Sequence, residues 1–124
     1  MNDISELNDS NTPISFFKEN VKLFVNKRNW IKYHTPKNLV QAINCEAGEL
    51  SQLLLFKDYK QEDIWDDKKL LTNISDEIAD VFIYLISLIN LLDLDLSQAF
   101  EKKMEKNNTK YNTKEFNSGL YYKK

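Results

Sequence analysis

Glycine and proline are scarce, with two of each in 124 residues. Sheet-rich chains of this length need more turn-forming residues, so the shortage points to a single compact domain built mostly of helices. It also leaves no Gly-x-x-x-x-Gly-Lys run, which excludes a P-loop. The one cysteine, Cys45, allows no internal disulfide and gives no sign of an oxidising compartment. As a nucleophile Cys45 lacks support, because the only histidine, His34, lies eleven residues away, about three helical turns along the chain. A small buried side chain is its expected role. Arginine is nearly absent: Arg28 stands beside sixteen lysines, and a formal net charge of −2 leaves no electrostatic footprint for a nucleic-acid polymer. No apolar run reaches the ~20 residues of a membrane span; the longest, residues 81–92, is broken by Tyr84, Ser87 and Asn90. Residues 1–11 are polar and acidic, unlike a signal or transit peptide, so a cytoplasmic protein that does not engage the membrane is expected.

What is present is helical periodicity, and it predicts an all-α four-helix bundle. Thr12-Pro13 should cap a first helix over 13–29, with Ile14, Phe17, Val21, Phe24 and Val25 on its apolar stripe. The aromatic link 28–34 either plugs the end of the bundle or stacks on a flat ligand. Thr35-Pro36 should open a second helix running to about residue 58. Residues 57–72 form a charged connection with one helical turn around Ile64-Trp65, long enough to act as a flap or to reach another subunit. Asn73 and Asp76 resemble a capping box opening a third helix over 74–92. That helix has little polar surface beyond its first turns, which suits a central position or a subunit interface and predicts an oligomer. Asp95 should cap a fourth helix over 96–110. The expected organisation is a flexible N-terminus at 1–11, a helical domain at 12–111 and a tail at 112–124 carrying Tyr121 and Tyr122.

Two acidic pairs interrupt the apolar helices: Glu46 with Glu49, and Glu77 with Asp80. Residues three apart share a helix face, so each pair lies on the edge of a buried stripe. One such pair is common on exposed helices; two pairs on successive long helices, both within apolar sequence, are not. Antiparallel packing would bring all four acids together. An unpaired carboxylate costs several kcal/mol to bury (order of magnitude), so such groups are protonated, paired with cations or bound to metal. An all-oxygen donor set suits magnesium, with manganese as the alternative, rather than zinc. Magnesium commonly shares its site with substrate phosphates, so phosphate chemistry is the first inference. Lys103, Lys106 and Lys110 could hold the phosphates or simply form a solvated face. Gly48 either permits close approach of a neighbour or is a tolerated glycine.

Three stretches carry a family resemblance: Arg28-Asn29-Trp30-Ile31-Lys32-Tyr33-His34-Thr35-Pro36-Lys37-Asn38-Leu39, then Glu46-Ala47-Gly48-Glu49-Leu50, then Asp76-Glu77-Ile78-Ala79-Asp80-Val81-Phe82-Ile83-Tyr84-Leu85. Together with Lys103-Met104-Glu105-Lys106-Asn107 they resemble the MazG-type all-α nucleoside triphosphate pyrophosphohydrolases, most of all the short dCTP pyrophosphatase branch, over about residues 17–111. The resemblance implies a magnesium-dependent conversion of (d)NTP and water to (d)NMP and pyrophosphate, favouring dCTP or a modified dCTP. It implies that Glu46, Glu49, Glu77 and Asp80 bind the metal, with Glu46 or Glu49 taking the proton from water. Lys103, Asn107, Tyr84 and Tyr111 would contact the triphosphate, and Trp30, His34, Asn38 and Phe56 would lie near the nucleoside. It also implies a homodimer or homotetramer whose sites are completed across subunits. Two positions depart from the pattern. Gln52 replaces a third acid of the first motif, and Phe56 replaces a tryptophan, which bears on metal number and base preference. The alternatives are a relaxed house-cleaning NTP pyrophosphatase and a non-catalytic helical module whose acids pair with a partner's lysines.

Overall fold

The computed structural model describes residues 6–121, and all of its regular structure there is helical. Residues 1–5 of the expected flexible N-terminus, and Tyr122, lie outside the described residues. Residues 6–11 form an Asx turn in which Asn8 Oδ1 accepts the Ser10 and Asn11 backbone N–H groups at 3.0 and 3.1 Å. Helix α1 (Ile14–Lys27) follows with Pro13 itself at the N-cap. The Thr12 hydroxyl donates to Asn11 Oδ1 at 2.6 Å, so the expected threonine cap is not made.

A 3-10 turn, Ile31–Tyr33, leads into α2 (Pro36–Gln52), where the cap matches expectation: Thr35 Oγ1 accepts the Asn38 N–H at 3.2 Å and Pro36 opens the helix. Helix α2 stops at Gln52 instead of continuing to residue 58. The chain turns through Leu53 and Leu54, and Phe56 adopts the left-handed region at φ 59°, which breaks the helical path. The charged connection holds a six-residue helix, α3 (Gln61–Asp66). Helix α4 (Lys68–Leu92) starts earlier than residue 74, because the Asp67 carboxylate accepts the Leu70 N–H at 3.0 Å. Asn73 and Asp76 therefore lie inside α4 and cap nothing. Helix α5 (Leu96–Lys110) matches expectation, with Asp95 Oδ1 accepting the Gln98 N–H at 2.9 Å. Among the described residues there are five α-helices, not four; the extra one is α3.

The chain divides into two compact units, one ending at Asp93 and one beginning at Leu94. In the first, α4 is the hub on which α1, α2 and α3 pack. Its core is small: Leu39 and Ile86 are fully buried, and Val25 and Ile89 nearly so. Phe17 meets Phe82 edge to face at 5.3 Å, and Asn90 Nδ2 donates to the Lys18 carbonyl at 3.0 Å, tying α1 to α4. Leu71, Ile78, Leu85 and Leu92, seven residues apart along α4, remain 40–54 % exposed. In the second unit Tyr111 packs edge to face on Phe116 at 5.3 Å, and the Phe116 N–H donates to the Asn112 carbonyl, so the start of the tail is folded. No helix among the described residues is long and apolar enough to cross a membrane.

Candidate active site

Helices α2 and α4 run antiparallel. His34, just ahead of α2, shares a cleft with Ser87, Ile89, Asn90 and Leu91 near the C-terminal end of α4, whereas Glu46 reaches Glu77 and Asp80 nearer its middle. The i, i+3 spacing of each pair then points the acids across the α2–α4 seam. One carboxylate oxygen each from Glu46, Glu77 and Asp80 lies within 4.8 Å of the others. Glu46 and Glu77 are half-buried and Asp80 is exposed. Glu49 is exposed on α2.

The electrostatics of this cluster are unfavourable without a cation. Glu46 Oε2 and Glu77 Oε2 are shut off from solvent and have no hydrogen-bond partner. Burial, the carboxylates of Glu49 and Glu77 at hydrogen-bond range, and the charges of Glu49 and Asp80 push Glu46 from 4.5 to about 7. Glu77 is raised too, chiefly by burial, with the charges of Glu49 and Asp80 adding to it. Two ionised carboxylates cannot hydrogen-bond to each other, since neither has a proton to give. The pair is therefore relieved by a shared proton or by a cation. The donor set is all carboxylate oxygen, and its buried oxygens are unpartnered, so these residues fit a hard divalent cation.

A model of the MazG nucleotide pyrophosphohydrolase domain matches residues 34–114, a stretch that contains both acidic pairs. The chain belongs to this family. Among curated relatives of this MazG-family chain, dCTP pyrophosphatase 1 of Mus musculus is 34 % identical over 90 residues, covering 71 % of the chain and 52 % of the relative. The Homo sapiens dCTP pyrophosphatase 1 is 32 % identical over 90 residues, with the same coverage of both chains. The chain thus spans about half the length of the curated relatives it matches. The crystal structure of a pyrophosphatase from Archaeoglobus fulgidus is similar in fold, with a TM-score of 0.74 and 31 % identity over 86 % of this chain and 99 % of that one.

The other expected site residues fall elsewhere. His34 lies in the cleft beside residues 87–91 of α4, beyond the acids at mid-helix, and the Trp30 N–H bonds the carbonyl of Val25, which lines the same cleft. The cleft's Ser87 lies seven positions beyond Asp80 and its Asn90 thirteen beyond Glu77, which is about 10 to 20 Å along a helix axis. His34 is half-buried in a cleft of about 390 Å³, and burial lowers its pKa, so it is neutral at pH 7. The Asn38 side-chain amide donates to the Tyr33 carbonyl at 2.9 Å and fixes the 3-10 turn. Tyr84 is half-buried on α4, one turn beyond Asp80. Phe56 is 97 % exposed on its left-handed backbone. Lys103 and Asn107 share one face of α5, and Tyr111 is that helix's C-cap.

Gly48 has open space where a side chain would lie, with no neighbour within 4 Å, so nothing in the described chain requires a glycine there. Cys45 is exposed, contrary to expectation. On α2 the inward stripe passes through Leu39, Ala42 and Glu46, and position 45 points about 100° away from 46. Sequence reading gave no role to Arg28, whose guanidinium stacks on Phe24. The i, i+4 spacing of Phe24 and Arg28 was the available signal.

Proposed function

We propose that this chain is a divalent-cation-dependent nucleoside triphosphate pyrophosphohydrolase, cutting (d)NTP with water to (d)NMP and pyrophosphate by attack on the α-phosphorus. The observation that carries the reading is the meeting of the buried, partnerless carboxylate oxygens of Glu46 and Glu77 with Asp80. Family membership supplies the reaction class. The name that the relatives carry, dCTP pyrophosphatase 1, supports dCTP or a modified dCTP as the proposed substrate.

Glu46, Glu77 and Asp80 would hold magnesium, or manganese in its place. When bound, the ion supplies a Lewis acid that draws charge from the phosphate oxygens and makes nearby water more acidic. Of Glu46 and Glu49, we assign to Glu49 the proton of the attacking water, because it is exposed and adjoins the cluster without belonging to the close trio. Tyr84 offers a hydroxyl one turn from Asp80. To Lys103, Asn107 and Tyr111 we assign contacts with phosphate oxygens.

Trp30, His34, Asn38 and Phe56 are assigned to the nucleoside. His34 lies in the cleft beside residues 87–91 of α4, two helical turns or more from Asp80, and completion of the site across subunits would let Trp30 and His34 serve the acids of a second copy. The exposed apolar stripe Leu71, Ile78, Leu85 and Leu92 supplies a helix face for that association. A homodimer or homotetramer follows, with residues 12–111 as the catalytic domain.

The deciding experiment measures pyrophosphate release from canonical and 5-modified NTPs and dNTPs, with magnesium and with EDTA. Magnesium-dependent release concentrated on dCTP and its analogues is expected. Release spread evenly over bases would favour the house-cleaning reading. No release from folded protein would overturn the enzyme reading in favour of a helical interaction module.

A further inference from the structure

The single arginine of the chain is committed to an unusual arrangement. Arg28 Cζ lies 3.6 Å from the centroid of the Phe24 ring and 5.9 Å from that of Trp30. Phe24 and Trp30 also meet each other, nearly edge to face, at 5.8 Å and 71°. Arg28 Nη1 donates to the Phe24 carbonyl at 3.0 Å, which satisfies an end carbonyl of α1 and fixes the guanidinium plane. The backbone locks the third member. Asn29 takes the left-handed conformation at φ 55°, and the Trp30 N–H donates to the Val25 carbonyl at 3.1 Å.

This cluster is packed within itself yet not buried: Phe24 is 48 % and Trp30 44 % exposed, and Arg28 is exposed as well. The contrast is Trp65, 67 % exposed with no ring or cation partner among the described residues. A large ring held still while facing solvent loses little conformational freedom when something flat lies on it. Lysine could supply the charge at position 28 but not the planar face that stacks on Phe24.

We propose that Arg28 and Phe24 are positioning residues that hold the Trp30 ring as a fixed stacking face for the nucleobase. The inference rests on the reading of this chain as a nucleotide-binding enzyme and deepens it. Arg28 acts through Trp30 and makes no contact with the phosphates.

The test uses the full chain with Trp65→Phe, which leaves Trp30 as the only tryptophan. Binding of a non-hydrolysable dCTP analogue is followed by Trp30 quenching, and ring mobility by Trp30 anisotropy. Arg28→Lys, which still donates to the Phe24 carbonyl, is expected to keep helix content and kcat. It should lower Trp30 anisotropy and raise the Kd about 2- to 5-fold. Phe24→Leu moves both readouts the same way. With a fluorescent dCTP as displacement probe, Trp30→Ala should raise Kd about 5- to 100-fold, and adding Arg28→Lys should then change nothing further.

The proposal is overturned if Arg28→Lys leaves anisotropy and Kd at their parent values. It is equally overturned if Arg28→Lys weakens binding to the same degree without Trp30, because Arg28 would then touch the nucleotide directly. An unchanged Kd in Trp30→Ala also sinks it. Nucleotide binding without pyrophosphate release would overturn the proposed activity alone, since this test reads binding.

Discussion

Glu46 bears most of the electrostatic tension of the site, and its behaviour with pH follows from that. Its pKa is about 7 in the folded chain against 4.5 when free. Below about pH 4.5 it is protonated in both states. As the pH rises towards 7 the unfolded chain releases this proton while the folded chain keeps it, so stability falls across that window and levels off above it. The cation-free protein is therefore expected to lose melting temperature between pH 5 and 7.5, and Glu46→Gln to flatten that slope. Magnesium should raise the melting temperature most at the alkaline end, where it has no proton to displace. Thermal melts with EDTA and with magnesium across this range check all three; a magnesium shift that is equal at both pH values would remove Glu46 from the cation site. Glu49→Gln and Asp80→Asn should each abolish turnover with circular dichroism unchanged, and full activity in either would refute the assignment. These acids were readable in the sequence because i, i+3 spacing fixes a helix face whatever the neighbours do. Their strain was not readable, because it depends on which oxygens the α2–α4 seam closes off.

Helix boundaries show which local signals compete. Thr35 and Asp95 cap as their sequences suggest, since each precedes a helix with no rival nearby. Asn73 and Asp76 fail because Asp67 caps first, and once α4 has started nothing in residues 68–73 stops it. Asp67→Ala should cost about 1 kcal/mol of stability, whereas Asn73→Ala should change stability little; denaturant titration of both variants would reverse the assignment of the helix start if the order were opposite. Helix α2 ends early for the opposite reason: no proline or glycine marks residue 52, and the break comes from the left-handed Phe56 backbone. The apolar excess of α4 was legible, and its burial was not. Periodicity counts apolar positions without saying which are covered by the same chain, and Leu71, Ile78, Leu85 and Leu92 are left open. Leu85→Glu, placed in the middle of that stripe, should shift the light-scattering mass to that of a monomer while preserving helix content.

Across the whole molecule, a chain of 124 residues carries its acids at the middle of α4, while Trp30 is tied through its N–H to Val25, which lines the cleft beside the C-terminal end of that helix. Sequence motifs record that both are present, but their separation along the helix emerges only once α4 is seen as continuous. If each site takes its acids from one copy and its Trp30 from another, two defective chains can repair each other. Trp30→Ala keeps its acids and Glu49→Gln keeps its tryptophan, so in a mixed dimer one of the two sites is intact. Random pairing of equal amounts makes half the dimers mixed, and activity at low substrate should recover to about a quarter of the parent value. Glu49→Gln alone should be inactive, and Trp30→Ala alone should stay below that level. The measurement is dCTP hydrolysis after co-refolding the two variants, compared with the same variants mixed without unfolding. Recovery only on co-refolding is the expected outcome. No recovery, with mixed dimers present by native mass spectrometry, would place Trp30 and the acids in the same chain's site.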